Sequence, residues 1–378
     1  MAQKQSIQLY STKTEDLADR TCLSFMICMN LNFFLGLSEL GSFNTIKIFE
    51  IALMTAGIAL VPLRVILTHS RIYRLKELLA IMIMLFIGGI TFSFSGAPTF
   101  LKLILFWLGC RGSEQKKLLR YEIISLLISL LIILIPALVG VSNMRYWYDS
   151  SMFVFGFKNP NSLPAAVTAI LISYCMIQGN SLSLKSIFMQ IAFTILILYL
   201  TSSRSAVITL LLFYMLLLLC RLSFFRRAIR FLTPLFTGVF IILGAVSYYL
   251  AANYSYGSLI WDSINRITTW RLYLWNRYFV ASRLTLFGER VTGMGTLDNA
   301  YLMLLLRYGI VIFAVYVVLF HYVVKQSRKN NDLIAAIAVL CYEVYFLVEY
   351  TPLLINVNPL LLMAISNFST IQQRQEKG

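Results

Sequence analysis

The chain has 378 residues, of which 59% are hydrophobic and only 13% charged, and its formal net charge is +16. A soluble domain keeps roughly a quarter of its residues charged so that water can wet its surface, so this composition excludes a soluble globule. The positive charge sits in short runs between apolar stretches (Arg71, Arg74 and Lys76; Arg111, Lys116, Lys117 and Arg120; Arg221, Arg226, Arg227 and Arg230; Lys325, Arg328 and Lys329). That placement marks the cytoplasmic side of a membrane protein, and it argues against nucleic acid as a partner.

In chain order, a polar stretch of about twenty residues comes first, with no cleavable signal peptide, so the first apolar segment is expected to be an uncleaved anchor. Apolar runs of about the length needed to cross a bilayer follow at 21–40, 46–67, 78–95, 97–110, 122–142, 161–179, 186–202, 205–220, 231–251, 299–320, 333–350 and 352–368. The expected fold class is therefore an all-α polytopic membrane protein of about twelve transmembrane helices, with residues 1–378 forming a single bundle. A cytoplasmic N-terminus then puts every basic run on the cytoplasmic face, and the C-terminal tail with Arg374 and Lys377 ends there too. Gly96 and Pro98 are expected to make a tight external turn between the third and fourth spans. Two external segments are longer than turns: a first loop at 143–160, and a large one at 252–298 whose richness in Trp, Tyr and Arg points to partial helix rather than disorder.

The six cysteines lie in or beside apolar segments and make no CxxC pair, and the two histidines flank basic runs. Neither a disulfide framework nor a metal site is indicated. No GxGxxG, Walker A or GxSxG context appears, and no cofactor is expected.

The large loop breaks the charge rule. It holds Arg266, Arg271, Arg277, Arg283 and Arg290 against Asp262, Glu289 and Asp298. Planar guanidinium donors match two phosphate oxygens at once, so arginine on the outer face suggests a phosphorylated substrate. Drawn as one helix over 259–282, the loop places Ile260, Ile264, Ile267, Leu274 and Tyr278 on an apolar face. Arg266, Trp270, Tyr273 and Arg277 form a second stripe able to grip phosphate and stack on sugar rings. An interfacial helix meeting lipid headgroups would use the same residues. Asp298, at the mouth of the next span, is a candidate general base, although Asp is equally suited to cap a helix. Arg204, in Ser202-Ser203-Arg204-Ser205, falls at the membrane interface, where an ionisable group is functional or snorkels. In Asn159-Pro160-Asn161-Ser162-Leu163-Pro164, Ser162 can cap a span with Pro164 in its first turn. Glu343 and Glu349 are the remaining buried acids, and either can pair with Arg307.

The NPN segment, a span running into SSRS, and then NRITTW, FGERVTGMG and DNAYLMLLLRYGI occur in that order. Over about residues 155–310 this series resembles the bacterial O-antigen and capsular polysaccharide polymerases of the Wzy type and the related O-antigen ligases. The resemblance implies a GT-C-like bundle and an inverting, metal-independent glycosyltransferase in the bacterial plasma membrane. Its substrate would be a polyprenyl-pyrophosphate-linked oligosaccharide, transferred onto another carrier-linked repeat unit, with a chain-length regulator and a flippase as partners. It also implies catalytic roles for Arg204, for Arg266 with Trp270, and for Asp298 with Asn299, while the loop's own Arg271, Arg277, Arg290 and Tyr273, with Asn159 of the NPN segment, are expected to bind substrate. Many ligases carry His-Asn where this chain has Asp298-Asn299, a departure that leans towards polymerase. The rival readings are a ligase using a non-carrier acceptor, a lipid-linked oligosaccharide transporter and an inert assembly scaffold. A transporter should carry its charges in a central cavity with repeated halves, and the halves of this chain show no similarity.

Overall fold

A computed structural model describes residues 2–68, 75–145, 151–268, 270–294 and 297–366. The helices are α1 (Ala2–Leu37), α2 (Asn44–Leu67), α3 (Leu75–Ser95), α4 (Thr99–Cys110), α5 (Gln115–Leu138), α6 (Ser162–Gln178), α7 (Leu184–Thr201), α8 (Arg204–Leu219), α9 (Ser223–Leu232), α10 (Phe236–Asn253), α11 (Leu259–Ile267), α12 (Arg271–Val280), α13 (Ala300–Leu302), α14 (Ile310–Asn330) and α15 (Leu333–Val348). Among the described residues, eight helices are long and apolar enough to cross a membrane, and α4, α8 and α15 are shorter apolar helices. Large apolar side chains such as Ile48, Ile66 and Phe86 are each about two-thirds exposed. Apolar surface on that scale is stable only against lipid or protein. The protein is an all-α, multi-pass membrane protein.

The chain divides into two compact units. Unit 1 holds residues 1–78, 105–207 and 365–378, and α1 packs on α2 and α5, and α5 on α6. Small residues allow the close approach: a Cβ on Gly109 would strike the Phe25 ring at 2.6 Å, and one on Gly57 would meet Met29 Sδ at 2.9 Å. Polar side chains link the helices, as in lipid, where few other partners exist. Asn30 donates to Ser125 Oγ at 2.7 Å, and Ser173 donates to Glu122 Oε2 at 2.7 Å. Arg64 is buried, and its Nη2 donates to Ser113 Oγ at 2.7 Å and to the Arg111 carbonyl at 3.2 Å. The described part of the 143–160 loop is anchored at Asn143, whose backbone and amide nitrogens both donate to the Glu39 carboxylate at 2.8 Å.

Unit 2 holds residues 79–104 and 208–364. Its core centres on Phe240 of α10, ringed by Tyr301, Phe313, Phe320 and Phe346 at centroid distances of 4.9–5.7 Å. The turn between α3 and α4 forms where Gly96 and Pro98 predict it, with Gly96 at φ +68°.

Two expected spans differ in the structure. The run 299–320 is broken: α13 and a π turn, Met303–Tyr308, end at Gly309 (φ +89°), and the long helix is α14, which begins at Ile310. The start of α14 is completed by the 252–298 segment, because Ile310 N donates to the Thr285 carbonyl (3.0 Å) and Val311 N to the Leu286 carbonyl (3.1 Å). Residues 352–368 likewise do not begin as a span. Thr351–Leu353 and Ile355–Val357 are 3₁₀ turns, and regular helix runs only over 359–366, the remainder lying outside the described residues. The cause is local. Pro352 lacks an N–H, while Asn358-Pro359 restarts the helix with an Asn cap, Leu360 N donating to Asn358 Oδ1 at 3.0 Å. The carbonyls left over by the turns are taken up by tyrosines: Tyr316 donates to the Leu353 carbonyl (2.7 Å) and Tyr342 to the Val357 carbonyl (3.0 Å). Irregular backbone inside a membrane protein needs such partners.

Candidate functional site

The 252–298 segment does not form one helix. Thr268 bonds back through Oγ1 to the Ile264 and Asn265 carbonyls, both at 3.1 Å, which competes with helix continuation. Trp270 then takes left-handed backbone at φ +64°, so α11 and α12 are separate helices. The stripe expected from Arg266 to Arg277 on a single face is therefore split, and so is the apolar face from Ile260 to Tyr278. Asn265 joins the two pieces. It is fully buried, its Oδ1 accepts Tyr273 N at 3.0 Å, its Nδ2 donates to Tyr254 Oη at 3.3 Å, and its carbonyl accepts Trp270 N at 2.8 Å. Asn265→Ala should cost about 1–3 kcal/mol, since it strands a backbone N–H and a tyrosine hydroxyl. Limited proteolysis should show faster cutting near 268–270, and unchanged cutting would contradict the staple.

Helix α12 packs on α10 through Asn276, which donates to the Ala251 carbonyl at 2.8 Å, and through an edge-to-face contact of Tyr248 with Phe279 at 5.2 Å. Its other side opens a cleft of about 290 Å³ bounded by Arg271, Trp275, Arg277, Tyr278, Leu297 and Asp298. Arg271 is half-buried, while Trp275 and Tyr278 are buried. Two buried donors at this cleft, Arg271 Nη1 and Trp275 Nε1, make no hydrogen bond within the protein. Buried polar atoms are rarely left so.

Asp298 does not cap the helix that follows it. Asn299 does, its Oδ1 accepting Leu302 N at 2.9 Å while its Nδ2 donates to Ser247 Oγ (3.2 Å) and the Leu347 carbonyl (3.1 Å). The Asp298 carboxyl faces the cleft lined with Arg271, and burial holds it above the usual carboxylate range, with Arg271 offsetting part of that rise. Just past the end of α15, Glu349 is buried beside them. Burial first, and then the Asp298 charge, push it up to about 7 against the pull of Arg271. Two interacting carboxyls with a guanidinium titrate as a unit.

The structure thus brings Asp298, Arg271 and Arg277 to one cleft. Tyr273 lies at its edge, with the Arg277 guanidinium 5.8 Å from the Tyr273 ring centre. Arg266 and Trp270 are exposed and do not line it. The Arg290 guanidinium lies against Gly96, within 2.5 Å of where a Cβ would stand. Asn299 is committed to the fold. Asn159 belongs to unit 1, where its Oδ1 accepts Asn161 N at 2.8 Å. Arg204, also in unit 1, is the exposed first residue of α8, after Ser202 at φ +55°. Ser162 is the first residue of α6 and Asn161 takes the capping position. Neither Glu343 nor Glu349 takes up Arg307, which bonds instead to Tyr278. Sequence reasoning missed Trp275, Asn265 and the place of Glu349 beside Asp298. Trp275 stands four residues after Arg271, one helical turn on, and that spacing was the available signal.

The chain matches no family model, no curated protein and no solved structure.

Proposed function

We propose that this protein is a membrane glycosyltransferase that polymerises polysaccharide from lipid-linked repeat units. The observation that carries the reading is the unit 2 cleft, which brings Arg271 and Arg277 together with the Asp298 carboxyl. In this reading a polyprenyl-pyrophosphate-linked glycan is the donor, and the end hydroxyl of a second carrier-linked unit is the acceptor. The hydroxyl oxygen attacks the anomeric carbon as its proton passes to Asp298. The bond from that carbon to the pyrophosphate oxygen breaks, and the electron pair leaves with the pyrophosphate. Attack opposite the leaving group inverts the anomeric centre. Charge grows on the pyrophosphate as the bond breaks, so arginines fixed in a water-poor site act mainly on the transition state. Arg271 and Arg277 are the cations in the cleft, and the exposed Tyr273 ring beside Arg277 is the face open to a sugar. The proposed setting is a bundle of the GT-C type in a bacterial plasma membrane, with both termini cytoplasmic and a chain-length regulator and a flippase as partners.

Purified protein supplied with carrier-linked repeat units alone should build ladders of increasing length. A ligase would need a different acceptor and would give none, so absence of ladders from active protein rejects the polymerase reading. The acid side of the pH–rate profile gives a second check. Activity needs Asp298 ionised, and burial raises its pKa, so activity should fall on the acid side as Asp298 takes up a proton, above the range of an ordinary aspartate. Arg271 offsets part of that rise, so the residual activity of Arg271→Gln should show its acid limb at higher pH. A limb that stays in place, or moves down, contradicts this pairing.

A further inference from the structure

A second cavity lies in unit 2, far along the chain from the cleft, at the corner where α14 passes into α15. It holds about 160 Å³ and is lined by Arg230 in the last turn of α9, by Thr233 just after it, and by Ser327, Arg328, Asn331 and Asp332. The two guanidiniums reach it from different elements. The carboxylate on its wall is already used: Asp332 Oδ1 accepts Ala335 N at 3.0 Å and caps α15. Ser327 donates to the Asp332 carbonyl at 2.6 Å and Thr233 to the Ile229 carbonyl at 2.7 Å, so the hydroxyl protons are spent inside the fold. Two guanidiniums against the one carboxylate leave the cavity net positive for a ligand.

Its height in the membrane follows from length. Helix α10 has 18 residues, roughly 27 Å at 1.5 Å per residue, which nearly fills the roughly 30 Å of hydrocarbon and leaves α9, joined to it by the 3₁₀ turn Thr233–Leu235, at its edge. That edge meets the headgroup layer, and the end bearing Arg226, Arg227 and Arg230 is the one that tolerates water. Apolar side chains flank the same place, with Phe231 80% and Leu235 58% exposed. A ligand that fits has an anionic head beside the arginines and an acyl chain along Phe231 and Leu235.

We infer that this cavity binds the phosphate headgroup of an anionic phospholipid through Arg230 and Arg328. The inference is independent of the glycosyltransferase reading. The test is native mass spectrometry of the purified protein released from micelles carrying either phosphatidylglycerol or phosphatidylcholine. Wild-type protein should retain one phosphatidylglycerol in preference to phosphatidylcholine. An Arg230→Gln/Arg328→Gln double variant should lose that retention by about thirtyfold, taking two arginines at the energy typical of a surface cation near anionic lipid. Arg120→Gln, an exposed arginine on α5, is the control and should retain the lipid. Equal retention of the two lipids by wild type overturns the inference, as does undiminished retention by the double variant. Displacement of phosphatidylglycerol by millimolar inorganic phosphate would also overturn it, showing a free-phosphate site. Should the double variant unfold, the Lys/Lys version keeps the charges and should retain the lipid partly; complete loss from a folded Lys/Lys protein contradicts a site based on charge.

Discussion

Arg271→Ala should lower chain extension by about two to three orders of magnitude, the usual loss when one preorganised donor to a developing oxyanion is removed. The protein should still fold and insert, with the Asp298 and Glu349 carboxyls holding their protons to higher pH once the Arg271 charge is gone. Arg271→Lys should recover little, since an ammonium cannot offer two parallel donors to a diphosphate. Asp298→Asn should fall as far by a different route: it keeps the shape and removes the proton acceptor. The pair can be told apart. Arg271→Ala should weaken binding of the carrier pyrophosphate as well as turnover, whereas Asp298→Asn should spare binding. Ladders of normal length from either variant, at normal protein level, would remove the cleft from the reaction.

The second large effect concerns folding. Gly288 stands at φ +86°, and a Cβ there would collide with the Arg307 carbonyl. Gly309, at φ +89°, faces Gly288 N and the Leu286 carbonyl in the same way. Both positions favour glycine on backbone grounds, and both are closed by neighbouring backbone, which cannot swing aside like a side chain. Either Gly→Ala change should push apart the strand-like contact that satisfies Ile310 N and Val311 N, at a cost on the order of 4 kcal/mol or more. Thermal melting in detergent should show a large drop for both variants. Gly293→Ala is the comparison, because nothing lies within 4 Å of its Cβ position and only its φ of +76° opposes alanine. Equal melting points for all three would mean that the close approach contributes nothing.

Most of the helices were legible in the sequence because lipid imposes a length and an apolar composition on every spanning segment, and α2, α3, α6 and α7 begin and end close to their expected bounds. What escaped had polar or backbone causes. The break at Gly309 follows Arg307 and Tyr308, a polar interruption of the 299–320 run too short to divide it by hydropathy alone; the positive φ and the contact with Gly288 reveal where the helix stops. Residues 351–357 are as apolar as a helix but are held irregular by Pro352 and by tyrosine hydroxyls from α14 and α15. At the cleft, Arg271, Arg277 and Asp298 could be picked out by charge in an unexpected place. Asn265 could not, because one asparagine in a polar loop gives no hint that it will be buried, and Glu349 lies about fifty positions from Asp298 in the chain. The split between α11 and α12 turned on Thr268 and on a tryptophan in left-handed backbone, a conformation that periodicity does not anticipate.

Because carbonyls of Thr285 and Leu286 finish the first turn of α14, the segment above is a structural part of the helix below it. A reporter tag or a graft from another chain inserted near 285–290 should therefore disrupt insertion of α14, while the tip at Tyr256-Gly257, exposed and with open space around the glycine, should accept foreign sequence. Segment swaps between chains of this architecture would have to carry 285–311 as one block.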